Sequence, residues 1–195
     1  MADGAARVRD PARKEKILIA AARLIAEQGY HAVSMAEIGG EAGIVGSGIY
    51  RHFESKSSIL VAIFDRVIDD LVIDEHRVIG SRSDLARTLD LLIDGQVEFV
   101  VSSRAIAQVY HNEIASLPVE DRNRLRRKQR LYVQEWVHVL LEMRPDLDDA
   151  HARTLVHAAI NAIQSALFHK AGLDEDQLRD VLAGAARRIL TTGST

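Results

Sequence analysis

The 195-residue chain carries 25 Lys and Arg against 28 Asp and Glu, a formal net charge of −3, and no cysteine. Such a length buries a sizeable core, while the missing thiols exclude disulfides, thiolate metal sites and cysteine nucleophiles together. No apolar run approaches a transmembrane span and residues Met1 to Arg9 lack the apolar core of a secretion signal, so a cytoplasmic protein with no membrane partner is expected.

From Met1 to Lys16, five bases (Arg7, Arg9, Arg13, Lys14, Lys16) stand against three acids (Asp3, Asp10, Glu15). Such an arm can lie along phosphates or remain a solvated tail. The spacing predicts a first helix over about Arg13 to Gln28 that buries Ile17, Ala20, Ala21, Leu24 and Ile25, with Gly29 ending it.

Residues 34–53 read as two short helices joined by a glycine turn, a unit that offers one helix to the DNA major groove. Met35, Ile38 and Ala42 share a face of the first, from about Ser34 to Glu41. Ser34 followed by Glu37 has the pattern of a capping box. Gly43 stands where the chain must reverse, a place that often needs positive φ. A second helix is expected over about Val45 to His52, with Ile49 and Phe53 turned to the core and Gly46, Ser47, Tyr50, Arg51 and His52 left outside.

Ser55 can cap the next helix, about Ser57 to Glu75, whose stripe of Ile59, Leu60, Ile63, Phe64, Val67, Ile68 and Leu71 is long enough to join two domains. Residues 79–84, Ile-Gly-Ser-Arg-Ser-Asp, read as a linker. Further helices are expected at about Leu85–Val101, Ser103–Ser116, Val119–Met143, Asp148–Lys170 and Glu175–Leu190, with Pro118 and Pro145 marking breaks. No period-two strand is apparent, so the expected class is all-α, with a three-helix unit before the linker and a longer helical domain after it.

A helix-glycine-helix pattern alone fits a plain helical hairpin as well as a DNA reader. Its ending discriminates. Tyr50-Arg51-His52-Phe53 followed by Glu54-Ser55-Lys56-Ser57 resembles the TetR family of bacterial one-component repressors, and the resemblance spans about Pro11 to Leu71. It implies an N-terminal three-helix helix-turn-helix domain at 11–71, with the hairpin at 34–53, and a C-terminal helical regulatory domain for ligand binding and dimerisation at 80–195. It also implies a homodimer that binds double-stranded operator DNA of pseudo-palindromic sequence and answers to a small-molecule effector.

On that pattern Tyr50, His52 and Lys56 would contact phosphate with Ser34 and Ser47 assisting, and Arg51 would reach phosphate or a guanine edge. Two positions depart from it. Val45 stands where a capping serine or threonine is frequent, and Gly46 where a basic or polar residue is. Fewer long polar side chains remain to read bases, which shifts weight to spacing, DNA shape and methyl contacts of Val45.

The last two helices carry stripes rich in small residues: Leu155, Ala159, Ala162, Ile163 and Ala166, then Leu178, Val181, Leu182, Ala185, Ala186, Ile189 and Leu190. In isolation such stripes mark core more often than interface. The family resemblance reverses that preference and implies a dimer interface at Ala159, Ala162, Ala166, Leu182, Ala185 and Ile189.

An effector pocket is expected among helices holding Phe64, Ile68, Leu89, Ile93, Phe99, Tyr110, Tyr132 and Trp136. Polar pointers at helical spacing are Gln96, Asn112, Glu113, His138, Asn161 and Gln164. The preferred ligand is apolar or acyl.

Between Arg122 and Arg130 lie six bases (Arg122, Arg124, Arg126, Arg127, Lys128, Arg130) and no acid. Charge runs are usually solvated faces. The sharper alternative is that some of these arginines hold the phosphates of an acyl-CoA whose tail enters the pocket.

A catalytic role competes poorly. His151 and His157 diverge around a helix, and there is no phosphate-binding glycine loop or nucleophile motif, so no catalytic residue, metal or cofactor is expected. The alternative outside enzymology is a helical adaptor that binds protein rather than DNA.

Overall fold

The computed structural model of the chain describes residues 11–79, 85–169 and 172–192. The basic arm up to Asp10, residues 80–84 of the expected linker and Lys170 lie outside the described residues. Eight α-helices follow one another: α1 (Pro11–Gln28), α2 (Met35–Glu41), α3 (Lys56–Ile79), α4 (Leu85–Ser102), α5 (Arg104–Glu113), α6 (Val119–Met143), α7 (Asp149–Gln164) and α8 (Glu175–Thr191). No strand interrupts them among the described residues.

Local chemistry explains the boundaries. Gly29 ends α1 at φ +84°, its N–H bonded to the Ile25 carbonyl at 2.8 Å, the left-handed terminus that glycine adopts without strain. Ser34 accepts from the Glu37 N–H at 3.2 Å, and the Glu37 carboxylate accepts from the Ser34 N–H at 2.8 Å, closing the capping box of α2. Ser55 and Ser58 do the same at the start of α3, where Ser55 Oγ accepts from the Ser58 N–H at 3.1 Å and Ser58 Oγ from the Ser55 N–H at 3.1 Å.

Three expected helices differ. The second hairpin helix is a 3₁₀ segment, Gly46–Arg51, rather than an α-helix over Val45 to His52. Its sequence, Gly-Ser-Gly, has little helix propensity, and Gly46 at φ +61° diverts the chain out of helical geometry. The helix expected over Ser103 to Ser116 is α5 plus a 3₁₀ turn, Ile114–Ser116. The helix expected over Asp148 to Lys170 stops at Gln164 and tightens into a 3₁₀ turn, Ser165–Leu167.

Two apolar clusters hold the helices. One joins α1, α2, the 3₁₀ segment and the first half of α3, through Ile17, Ile38, Ile49 and Phe64, with Val109 of α5 and Leu125 of α6. The other surrounds Trp136 and joins α4, α6, α7 and α8. Helix α3 runs from one cluster into the other, with Ile68 in the first and Leu71 packed on the second. Because α5 lies against α1, apolar packing crosses the chain division expected near residue 80.

Candidate nucleic-acid interface and effector pocket

Two sites emerge, an exposed hairpin face at one end of α3 and a cavity beside its middle. At the hairpin, Ile38 and Ile49 are fully buried and Phe53 nearly so. They turn the opposite face outward. Gly48 permits the close packing, since a Cβ there would lie 2.7 Å from Cγ2 of Ile44 and force that side chain to shift. Gly43 reverses the chain at φ +70°. An ion pair between Arg23 and Glu41 ties α1 to α2, and Lys14 lies 5.6 Å from the centroid of the Phe53 ring.

On the outward face Ser47, Tyr50 and Arg51 are exposed, and Val45 is 93% exposed, an unusual place for a valine. Its neighbour Gly46 departs from the family pattern for a backbone reason: φ +61° disfavours any residue with a Cβ. Ser34 is exposed, yet its hydroxyl already serves the α2 cap. That capping also holds Glu37 below the usual carboxylate range, through hydrogen bonds to the Ser34 side chain and backbone. His52 is half-buried, with Nδ1 enclosed and without a hydrogen-bond partner among the described residues.

Lys56 makes contacts within the protein. Its ammonium donates to the carbonyls of Tyr30 and Val33, the latter at 2.6 Å, and lies 4.4 Å from the centroid of the Tyr30 ring. A lysine so engaged clamps the turn between α1 and α2. Glu113 at the end of α5 reaches the same turn, accepting from the Tyr30 N–H at 3.4 Å.

The cavity encloses about 90 Å³, widening to roughly 600 Å³ when the open space at its mouth is counted. Val67, Ile68 and Leu71 of α3 form one wall; Gln96 and Phe99 of α4, Tyr110 of α5 and Tyr132 and Val133 of α6 continue it. Gln129 of α6 and His157, Ile160, Asn161 and Gln164 of α7 close the ring. Not one of these residues is Asp, Glu, Lys or Arg.

Tyr132 donates to Gln96 Oε1 at 3.0 Å, while the Tyr110 hydroxyl is enclosed without a partner among the described residues. Burial alone pushes the Tyr110 pKa up to about 12, so it remains a neutral donor. Of the expected pocket residues, Ile68, Gln96, Phe99, Tyr110, Asn161 and Gln164 line this cavity. Phe64, Ile93, Trp136 and Leu89 instead form core, and Glu113 caps the α1–α2 turn. Asn112 and His138 face solvent. Sequence reasoning missed Val67, Leu71, Gln129, Val133, His157 and Ile160. A signal existed only for the α7 set, since His157, Ile160, Asn161 and Gln164 recur at three and four residues.

The expected interface residues divide. Ala159, Ala166 and Leu182 are buried within the chain's own core and cannot meet a partner. Ala162, Ala185 and Ile189 retain partial exposure. Nearer the surface of the same two helices lie Leu155, Ala158, Leu178 and Val181, the last 57% exposed. The basic run divides too: Arg124 donates to Asp65 at 2.5 and 2.8 Å, and Lys128 to Asp65 and Asp69 at 3.0 and 2.7 Å.

Among the described residues no cluster of His, Cys, Asp or Glu could hold a metal ion, and no helix is long and apolar enough to cross a membrane.

Comparison with known proteins accounts for the pairing of hairpin and cavity. A family described as "Bacterial regulatory proteins, tetR family" matches residues 17–63. The chain is 31% identical over 110 residues to the transcriptional repressor KstR2 of Rhodococcus jostii, covering 56% of this chain and 54% of that protein. It thus spans about half the length of that relative. To KstR2 of Mycobacterium tuberculosis it is 30% identical over 149 residues, covering 70% of this chain and 72% of that one.

Among solved structures, a TetR-family regulator from Bordetella parapertussis superimposes with a TM-score of 0.84 at 22% identity, covering 94% of this chain and 96% of that one. FadR from Bacillus subtilis, solved with stearoyl-CoA, gives a TM-score of 0.73 at 20% identity, covering 92% and 99%. With the capping-box hairpin, the Tyr-Arg-His-Phe ending and the M. tuberculosis relative all agreeing, the chain belongs to the TetR family of bacterial transcriptional regulators.

Proposed function

We propose that this protein is a cytoplasmic, non-catalytic, homodimeric repressor that occupies a pseudo-palindromic operator and leaves it when an apolar or acyl effector enters the cavity beside α3. The observation that carries the reading is the position of α3. It starts at Lys56, directly behind the hairpin, and forms a cavity wall with Val67, Ile68 and Leu71, about 16 Å further along at 1.5 Å per residue. Anything that changes the cavity's fill acts on the same rod that carries the hairpin.

The division of labour follows. Residues 11–71 form the reader and 80–195 the regulatory part. Tyr50, Ser47 and Arg51 contact phosphates, with Arg51 able to reach a guanine edge. Val45, at the tip, offers methyl groups to thymine. Leu155, Ala158 and Ala162 of α7 with Leu178, Val181 and Ala185 of α8 meet their two-fold copies. Ile68, Phe99 and Tyr110 line the effector site, the free Tyr110 hydroxyl donating to a ligand oxygen. Release is a linkage: the effector shifts DNA binding only to the extent that it prefers the conformer whose hairpins are misaligned. The names of the KstR2 relatives as repressors support the sign.

A mobility-shift assay on the DNA upstream of the protein's own gene, with a salt titration, tests the reading. A specific shift that weakens with salt is expected. A chain that gives no specific shift, or one indifferent to salt, is not an operator-binding regulator.

A further inference from the structure

We infer that Gln96 of α4 and Tyr110 of α5 select the effector, by donating hydrogen bonds to an uncharged carbonyl oxygen on the part of it that lies inside the cavity. This rests on the effector-pocket reading above and assigns the side chains that decide what the pocket accepts.

The first observation is a pair of donors left over after the chain's own hydrogen bonds are made. Outside the aromatic residues, Gln96 and Thr88 are the buried polar side chains among the described residues, and Gln96 is only 2% exposed. The Tyr132 hydroxyl donates to its Oε1 at 3.0 Å. That bond sets which way the amide faces, and the Gln96 side chain makes no other hydrogen bond among the described residues. Its two N–H donors are therefore unused. The Tyr110 hydroxyl is likewise enclosed without a partner among the described residues, on a ring held edge-on to Phe64 with centroids 5.0 Å apart. Buried polar groups in folded proteins are nearly always bonded, so two exceptions in one place ask for a reason. Leucine and phenylalanine would fill the same space without stranding a donor.

The second observation is where these groups sit. Both border one cavity, whose enclosed part of about 90 Å³ is only a few ångströms across. Its polar lining falls in two places. Gln129, His157 and Asn161 are exposed at the mouth, whereas Gln96 and Tyr132 are buried, in the company of Ile68 and Val133. A ligand keeps its hydrated groups at the mouth, and whatever reaches Gln96 has left water behind.

Chemistry then narrows the choice. Both leftover groups donate, and a carbonyl oxygen with two lone pairs can accept from both. A carboxylate would find no counter-ion, since no Asp, Glu, Lys or Arg lines the cavity. A hydrocarbon segment would leave both donors unpaired. Sites built around hydrogen bonds reject such analogues far more strongly than apolar pockets reject a change of size.

The test uses 2-octanone and 2-methyl-1-octene, which differ only in C=O against C=CH₂ and so separate hydrogen bonding from shape. Binding to the full chain is read from the fluorescence of Trp136, the one tryptophan of the sequence, whose ring centroid lies 6.1 Å from that of Tyr132. Infrared spectroscopy of the ketone, labelled with carbon-13 at the carbonyl, reads the hydrogen bonds directly. In the unmodified protein the carbonyl band should lie below its position in hexane. In Gln96→Leu/Tyr110→Phe it should return towards that position. The preference for ketone over alkene should fall at least about tenfold, as expected for two neutral hydrogen bonds, and each single substitution should produce part of both changes.

A band and a preference that the double substitution leaves unchanged overturn the proposal and leave the pocket standing. A band that responds to Tyr110→Phe but not to Gln96→Leu also overturns it, by removing Gln96. Loss of both ligands in the double variant and in Tyr110→Phe overturns it too, by making the side chains structural. Binding of neither ligand by the unmodified protein removes the effector-pocket reading along with it.

Discussion

Lys56 and Gly46 carry the clearest residue-scale consequences. Replacing Lys56 with Met would strand the carbonyls of Tyr30 and Val33 that its ammonium now satisfies. Buried acceptors left without donors cost about 1–3 kcal/mol, so urea unfolding should report a loss of that size. A phosphate-binding lysine would behave otherwise, with unchanged stability and an operator salt slope lowered by about one. Gly46→Ala should cost about 1–2 kcal/mol through left-handed strain alone, because a Cβ there meets nothing within 4 Å; thermal unfolding checks it. Much at this scale was legible in the chain, including the Ser34 and Glu37 cap and the inward Ile49 and Phe53. The fate of Lys56 was not, since it is set by carbonyls 26 and 23 positions away in sequence.

At the scale of elements, α3 is gripped on two sides, by cavity-lining apolar residues and by a network in which Arg124 and Lys128 of α6 bind Asp65 and Asp69. Burial alone would raise the Asp65 pKa, but hydrogen bonds and charge from Arg124 and Lys128 outweigh it and hold it below the usual carboxylate range. A depressed folded-state pKa stabilises above the unfolded value, about 3.9, and that contribution is lost as pH falls through the folded value. Asp65→Asn should therefore lower the melting temperature most above about pH 5, with the two proteins converging in acid. A constant offset across pH would remove Asp65 ionisation as the cause. Helix lengths followed from periodicity at Val119–Met143 but not where 3₁₀ segments replace expected α-helix, as at Gly46–Arg51 and Ser165–Leu167. What periodicity could not give was the partner of each face: the basic run has one spacing but two sides, one turned to α3 and the other free.

In the proposed dimer the whole molecule depends on a face of α7 and α8 that a single protomer leaves uncovered. Leu182 and Val181 are adjacent in α8, yet Leu182 is 6% exposed and Val181 57%. The sequence placed both on one apolar stripe; only the packing of α8 against α4 and α7 tells which side faces inward. The two positions should therefore fail differently. Leu182→Ala should destabilise each protomer by about 2–5 kcal/mol, the usual cost of truncating a core leucine. Val181→Asp should leave protomer folding intact by circular dichroism while shifting the sedimenting species from dimer to monomer. Operator binding should fall with it, since two half-sites about 34 Å apart are read together only by a linked pair of hairpins, and the second contact gains from the effective concentration that linkage supplies. An isolated half-site should lose far less affinity than the full palindrome, because one hairpin still meets it. A Val181→Asp protein that remains dimeric and binds the palindrome as tightly as before would move the interface off α7 and α8.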